Sequence, residues 1–196
     1  MLFFVALCLC VVLSSSFLRE MEVLTINHVV ADNRNRILEV ARGEIGVMER
    51  SGRNDGERVG EYLRYTQLGE GYEWCAAFVS WCYGQAGFSE PRTPWSPALF
   101  PQSRQLKGVE SALFGDVFGI WIREKGRIGH AGLVEVGVVG NSRAISGTSD
   151  SYLITIEGNN QDAVRRVRRP IRTIQAVADW VSGLQPGDDL REGGQQ

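Results

Sequence analysis

The feature that most constrains the fold is a nearly uninterrupted apolar segment from Trp74 to Ala86. A helix that is apolar on every side is a buried helix, because no face of it favours contact with water. Cys75 is the second residue of the segment, and Gly87, a residue type that commonly ends helices, follows it. The sequence therefore predicts an internal helix whose first turn carries a cysteine.

The sequence before this segment predicts two further helices. From Asn33 onward, apolar residues recur at helical spacing, and Asn33 or Asn35 is in position to cap the helix. A second apolar stripe begins at Val59, shortly after Asn54 and Asp55, either of which is a suitable cap.

The sequence after the segment predicts a β-sheet. Beyond a proline-rich loop over residues 91–101, short runs of β-branched and aromatic residues alternate with Gly, Asn and Asp. Helices followed by strands indicate an α+β domain with its helices packed on an antiparallel sheet. The predicted strands are Asp116–Ile122, His130–Val139, Ser142–Ile145, Tyr152–Glu157 and Val164–Ile171.

Composition excludes several classes of function. The chain has 196 residues and a formal charge of -2, whereas a strongly basic surface is needed to bind nucleic acid. It has only two histidines, too few for a His-rich zinc site, and no glycine-rich phosphate-binding motif. We expect a monomer with no nucleic-acid partner, no bound metal and no cofactor.

The two ends of the chain differ from the middle. Leu2 to Leu13 are twelve consecutive apolar residues followed by three serines, which predicts a signal peptide or a membrane anchor over residues 1–20. The product would then be secreted, periplasmic or anchored, whereas a start at Met21 would leave it in the cytoplasm. We expect a catalytic domain over residues 33–182 and a disordered tail over 183–196, where apolar residues are scarce.

Cys75 is the candidate nucleophile. The N-terminus of a helix favours a thiolate, and its free N–H groups can also hold an oxyanion. The alternative is that Cys75 is only a small buried apolar residue. A disulfide with Cys82 is excluded, because seven residues of helix separate the Cα atoms by about 10 Å.

His130 is the candidate general base, since it lies among small residues at the start of a predicted strand. A cysteine–histidine pair also needs a third group that orients the imidazole ring. Glu157 and Asn159, at the end of a predicted strand, are the two candidates for that role. Alternatively, Gly158 and its neighbours form only a hairpin turn.

Four blocks of sequence carry a family resemblance. In this order and at these spacings they resemble the CHAP domain, a family of cysteine, histidine-dependent amidohydrolases/peptidases found in peptidoglycan hydrolases and phage endolysins. The resemblance covers about Asn35 to Trp180. The blocks are Trp74–Cys82, Gly115–Val117, Gly129–Gly132 and Ile156–Asn159.

The resemblance implies a papain-like fold and hydrolysis of an amide bond in peptidoglycan. It implies that Cys75 is the nucleophile, His130 the base, Glu157 the third member and Asn159 the polar residue that supports it. Asp116 falls in a block that we interpret as structural. Some members hold calcium on several Asp residues before the cysteine, and this chain lacks that cluster, so we predict no calcium requirement.

Two tryptophans are candidate substrate-binding residues. Trp74 is next to the nucleophile and Trp95 is in the proline-rich loop, so either could line the groove, although aromatic residues in such places are more often packed in the core. The arginine-rich segment 165–172 could meet an anionic wall polymer or could serve solubility alone.

Other functions remain open at this point. An NlpC-type endopeptidase shares the papain-like core but typically uses a second histidine as its third residue, and only His28 is available here. A catalytically silent wall-binding or assembly module is a second alternative, and a protease acting on protein is a third. The sequence does not distinguish amidase cleavage between sugar and peptide from endopeptidase cleavage within the stem or crossbridge.

Overall fold

The computed structural model describes residues 2–140 and 151–182, with the backbone alone for residues 2–18. In these ranges the chain has an α+β fold, which confirms the predicted α+β class. The helices and strands are α1 (Leu2–Gly43), α2 (Glu57–Tyr65), α3 (Cys75–Gln85), β1 (Val117–Ile122), β2 (Arg127–Val139), β3 (Tyr152–Glu157), β4 (Arg165–Pro170) and β5 (Ala176–Ala178).

The first helix differs from its prediction. It begins at Leu2, so neither Asn33 nor Asn35 caps it. Contacts divide the chain into two units, one up to Asn33 and the other, which holds the remaining elements, from Arg34. No helix among the described residues combines the length and the apolar character needed to cross a membrane.

The caps predicted for the second helix are also wrong. Gly56 precedes α2, and no side chain caps the helix. The carboxylate of Asp55 instead accepts hydrogen bonds from the backbone N–H and the hydroxyl of Ser51, both at 2.8 Å, and so closes the preceding turn. A short polar side chain near the start of a helix can either cap the helix or close the turn before it, and the geometry of the turn determines which of the two it does.

The predicted buried helix is confirmed within one residue at each end. Residues Cys75 to Tyr83 of α3 are all buried, and α3 packs against α2 and against the strands β2 and β3. Tyr62 of α2 contacts the rings of Trp74, Phe78 and Trp81, and these aromatic contacts join the two helices.

The sheet is antiparallel throughout the described residues, with the strand order β4-β3-β2-β1-β5. Four of the predicted strands correspond to β1–β4, and β5 was not predicted. The predicted strand Ser142–Ile145 and the predicted tail over 183–196 lie outside the described residues.

An apolar cluster on the sheet joins Phe118, Val134 and Leu153 to Val177 of β5.

A buried ion pair joins α1 to the start of β1. Arg34 donates to Asp116 at 2.5 Å, lies 2.9 Å from the carboxylate of Asp179, and is 2% exposed. The second oxygen of Asp116 accepts the backbone N–H of Leu113. Burial raises the pKa of Asp116, while the charge and hydrogen bond of Arg34 oppose that rise. Asp116 therefore has a structural position, consistent with its interpretation from the sequence.

Replacement of Arg34 by methionine should destabilise the protein. The substitution Arg34→Met leaves Asp116 buried without its cation, and breaking such a pair costs about 3–5 kcal/mol. Urea denaturation measures this loss in the free energy of unfolding, with the exposed Arg172→Met as the control that should change little. A loss below about 1 kcal/mol would show that the pair does not stabilise the fold.

Candidate active site

Three of the residues predicted to act together lie together in the structure. Cys75 is the first residue of α3, His130 lies in β2, and Glu157 is the last residue of β3. Strands β2 and β3 are neighbours in the sheet, and α3 packs on both. The packing of one helix end against two adjacent strands thus brings a thiol, an imidazole and a carboxylate into contact.

The Cys75 thiol is surrounded by hydrogen-bond donors. It is 4% exposed, lies 3.4 Å from the hydroxyl oxygen of Ser96, and also interacts with His130 and the backbone N–H of Ala131. Burial raises the pKa of the thiol, but these hydrogen bonds and the charge of His130 outweigh burial, so the pKa lies below its ordinary value. In contrast, burial raises the pKa of Cys82 well above its ordinary value.

The imidazole of His130 joins the thiol to the carboxylate. Its Nε2 lies 2.8 Å from Oε2 of Glu157, which leaves Nδ1 to exchange a proton with Cys75. Burial lowers the pKa of His130, but its hydrogen bonds to Cys75 and Glu157 and their negative charges outweigh burial and raise the pKa to about 9. A lowered thiol pKa beside a raised imidazole pKa favours transfer of the thiol proton to the imidazole, as a thiolate–imidazolium pair requires.

Glu157 is fully buried and its two oxygens are saturated with donors. Arg169 of β4 binds it through two N–H groups at 2.7 and 2.6 Å, the bidentate geometry typical of arginine and carboxylate. Thr155 donates to Oε1 at 2.6 Å and Asn160 to Oε2 at 2.7 Å. Burial raises the pKa of Glu157, but the bonds and charges of Arg169 and His130 outweigh it and lower the pKa to about 2.

A glycine makes room for this carboxylate. The strand register pairs Leu133 of β2 with Ile156 of β3, which brings the preceding residue, Gly132, next to Glu157. A Cβ atom at Gly132 would lie 2.9 Å from Cγ of Glu157 and 2.9 Å from the carbonyl oxygen of Ile156, closer than such atoms pack in proteins. The glycine after Ala131 therefore allows the side chain of Glu157 to cross the neighbouring strand and reach His130.

Asn159 and Trp74 do not occupy the positions that their predicted roles require. Asn159 adopts a left-handed backbone conformation and donates to the side chain of Asn54 at 3.2 Å, so it neither contacts His130 nor holds Glu157. The amide that supports Glu157 belongs to the next residue, Asn160. Trp74 is fully buried against Tyr62 and Phe78, which corrects its prediction as a substrate-binding residue.

Several residues of the site were not predicted. Arg169 belongs to a segment that we interpreted as surface charge. Its position on a predicted strand that follows the strand of Glu157 was a signal that it could pair with that carboxylate. Thr155 lies two residues before Glu157 and so shares its face of the strand, a usable signal. No local sequence signal indicated Ser96, because 21 residues of chain separate it from Cys75.

Two cavities border the site, one lined by Cys75 itself and the other by Ser96, whose hydroxyl contacts the thiol. The first, here the His130 cavity, has a volume of about 390 Å³ and is lined by Cys75, His130 and Lys125 among others. The second, here the Trp95 cavity, has a volume of about 380 Å³ and is lined by residues that include Trp95 and Ser96. Trp95 is half exposed, as its prediction as a substrate-binding residue requires.

No protein-family model matches the chain, and comparisons with curated proteins and with solved structures find no match either. Within residues 2–140 and 151–182, no three His, Cys, Asp or Glu side chains are arranged to hold a metal ion.

Replacement of Glu157 by glutamine should make the Cys75 thiol less acidic. The variant Glu157→Gln removes the charge that favours the imidazolium, so the thiolate loses stabilisation and its pKa should rise toward the ordinary value. The measurement is the pH dependence of Cys75 alkylation by iodoacetamide, followed on the Cys75 peptide by mass spectrometry. We expect the midpoint to move to higher pH.

The matched control is Glu135→Gln. Glu135 is also a buried glutamate bound by two arginines, Arg42 and Arg166, but none of its hydrogen bonds reaches the thiol. Its variant should leave the alkylation midpoint unchanged. Equal midpoints in Glu157→Gln and in the unaltered protein would show that Glu157 does not influence the thiol.

Proposed function

We propose that the chain is a peptidoglycan hydrolase that cleaves an amide bond through a thioester on Cys75, in a papain-like domain. The observation that carries the proposal is the single chain of contacts from the Cys75 thiol through His130 to Glu157, at the start of a buried helix. This chemistry is that of a cysteine amidohydrolase, and the resemblance to CHAP domains suggests the substrate.

In the proposed acylation step, the Cys75 thiolate attacks the carbonyl carbon of the amide and forms a C–S bond. The carbonyl oxygen becomes an oxyanion, which the backbone N–H of Cys75 can bind because the first N–H groups of a helix have no partner within it. The His130 imidazolium gives its proton to the amide nitrogen, the C–N bond breaks, and an amine leaves.

In the proposed deacylation step, neutral His130 accepts a proton from water, and the hydroxide attacks the thioester carbon. The C–S bond breaks, a carboxylic acid leaves, and the thiolate–imidazolium pair forms again. Glu157 retains its charge throughout and orients the ring through Nε2. The site residues of this proposal are Cys75, His130 and Glu157, with Arg169, Thr155 and Asn160 in positioning roles.

The contacts favour this proposal over the alternatives. An NlpC-type enzyme would place a second histidine at Nε2 of His130, whereas that nitrogen contacts Glu157. A silent binding module needs no acidified thiol, whereas three groups lower the pKa of Cys75.

We propose that the protein acts as a monomer outside the cytoplasm, exported or anchored through residues 1–20.

Digestion of purified sacculi tests the proposal. The unaltered protein should release fragments with new amine termini, detected by mass spectrometry, and Cys75→Ala should release them several orders of magnitude more slowly. The matched control is Cys82→Ala, which removes the other cysteine of α3 and should leave the release nearly unchanged once circular dichroism confirms folding.

Two outcomes would contradict the proposal. Release of the same fragments by Cys75→Ala at an equal rate would exclude the thioester. No release by the unaltered protein, with cleavage of an unfolded protein substrate instead, would identify a protease that acts on protein.

The hydroxyl of Ser96 should act as the second donor to the oxyanion. It lies 3.4 Å from the sulfur, is buried, and makes no other hydrogen bond within the described residues. The variant Ser96→Ala should therefore lower kcat by roughly 100-fold with little change in KM, as loss of one oxyanion donor does elsewhere. Ser96→Thr, which keeps a hydroxyl, should recover part of the rate.

The matched control for Ser96 is Ser80→Ala. The Ser80 hydroxyl is also buried and bonds to Thr93 of the proline-rich loop that carries Ser96, but it does not contact the thiol. If Ser80→Ala lowers kcat as much as Ser96→Ala, the effect of Ser96 comes from the position of the loop and not from donation to the oxyanion.

A further inference from the structure

The two cavities beside the thiol differ in their relation to the base. Cys75 and His130 line the His130 cavity, whereas the Trp95 cavity is lined by Ser96, whose hydroxyl contacts the sulfur, and Glu73 lines both cavities. A substrate bound across the thiol would occupy both cavities, one on each side of the bond that breaks.

The proposed reaction fixes the direction of such a substrate. The amide nitrogen must lie within reach of His130 to receive its proton, so the departing amine belongs in the His130 cavity. The acyl half stays bonded to the sulfur of Cys75 and must extend away from His130. The Trp95 cavity, on the Ser96 side of the sulfur, is the space that remains for it.

The Trp95 cavity contains an arginine whose position is fixed. The guanidinium of Arg127 stacks over the ring of Trp95 at 3.9 Å from the ring centroid, an arrangement that holds a guanidinium in place. Its one hydrogen bond within the described residues goes from Nη1 to the backbone oxygen of Ile128, at 3.0 Å. Most of its N–H groups therefore remain available to a ligand.

The nearest carboxylate does not saturate this arginine. Oε2 of Glu73 is 4.0 Å from Nη2 of Arg127, beyond hydrogen-bond distance. The other oxygen of Glu73 pairs with the ammonium group of Lys125, which offsets much of its charge. The Trp95 cavity thus presents a cation with open donors beside two exposed aromatic residues, Trp95 and Tyr72.

We propose that the Trp95 cavity binds the acyl half of the substrate and that Arg127 recognises a carboxylate on that half. This inference rests on the proposed function and makes it more specific. The peptide chains of peptidoglycan contain acidic residues, whereas the acyl half of the sugar–peptide amide is a lactyl ether with no free carboxylate. The site should therefore be an endopeptidase that cleaves within a peptide, and not an amidase that separates peptide from sugar.

The first part of the test is the identity of the bond that is cleaved in sacculi. We expect fragments cut within a peptide, with an acidic residue in the acyl half. Release of whole stem peptides from the sugar would overturn the inference but leave the proposed function intact. Release that does not depend on Cys75, or no release at all, would refute the proposed function itself.

The second part compares two soluble substrates that span the cleaved bond and differ only in one group of the acyl half, a carboxylate or the matching carboxamide. The unaltered protein should favour the carboxylate by roughly tenfold in kcat/KM, the effect of one charge-assisted hydrogen bond. Arg127→Gln should abolish this preference, mainly through a higher KM for the carboxylate, and circular dichroism shows whether the variant is folded.

A second variant should move the preference in the opposite direction. Glu73→Gln removes the carboxylate nearest to Arg127, so the preference for the anionic substrate should increase. If Arg127→Gln loses activity equally on both substrates, or if the unaltered protein does not distinguish them, Arg127 does not recognise a carboxylate.

Discussion

The buried carboxylate of Glu157 is the interaction on which the site depends. A charged group without water is stable only where donors and cations replace its hydration, and here Arg169, His130, Thr155 and Asn160 do so together. Glu157 therefore joins three strands, because Arg169 comes from β4, His130 from β2 and Glu157 itself from β3. The same contacts that satisfy the carboxylate fix the orientation of the imidazole that faces the thiol.

The fold supplies this arrangement through backbone geometry. Gly132 allows the side chain of Glu157 to cross β2, and Gly158 allows the end of β3 to approach α3, since a Cβ atom there would lie 2.6 Å from Cβ of Phe78. The apolar sequence of α3 buries the helix from Cys75 to Tyr83 and so holds Cys75, its first residue, at the junction of helix and sheet. The glycines beside the predicted site residues thus have a packing role of their own.

The sequence predicted the fold class, the buried helix, four strands and the residues Cys75, His130 and Glu157, because periodicity and motif spacing are local signals. It did not predict Arg169 or Ser96, because their contacts depend on strand register and on the path of a loop. For the same reason it could not decide between Glu157 and Asn159. Asn159 has a left-handed conformation and turns toward Asn54, which no spacing in the sequence indicates.

With the proposed thiolate–imidazolium pair, the charges of the site alternate along the chain of contacts: Arg169 is positive, Glu157 negative, His130 positive and Cys75 negative. In the proposed mechanism, acylation converts the thiolate into a neutral thioester and removes one of the two anions that raise the pKa of His130. The imidazolium then holds its proton less tightly, at the step when the leaving amine needs one, and the resulting neutral imidazole can accept a proton from water. Arg169 offsets part of the charge of Glu157, so the carboxylate that remains favours the imidazolium less strongly than an unpaired carboxylate would.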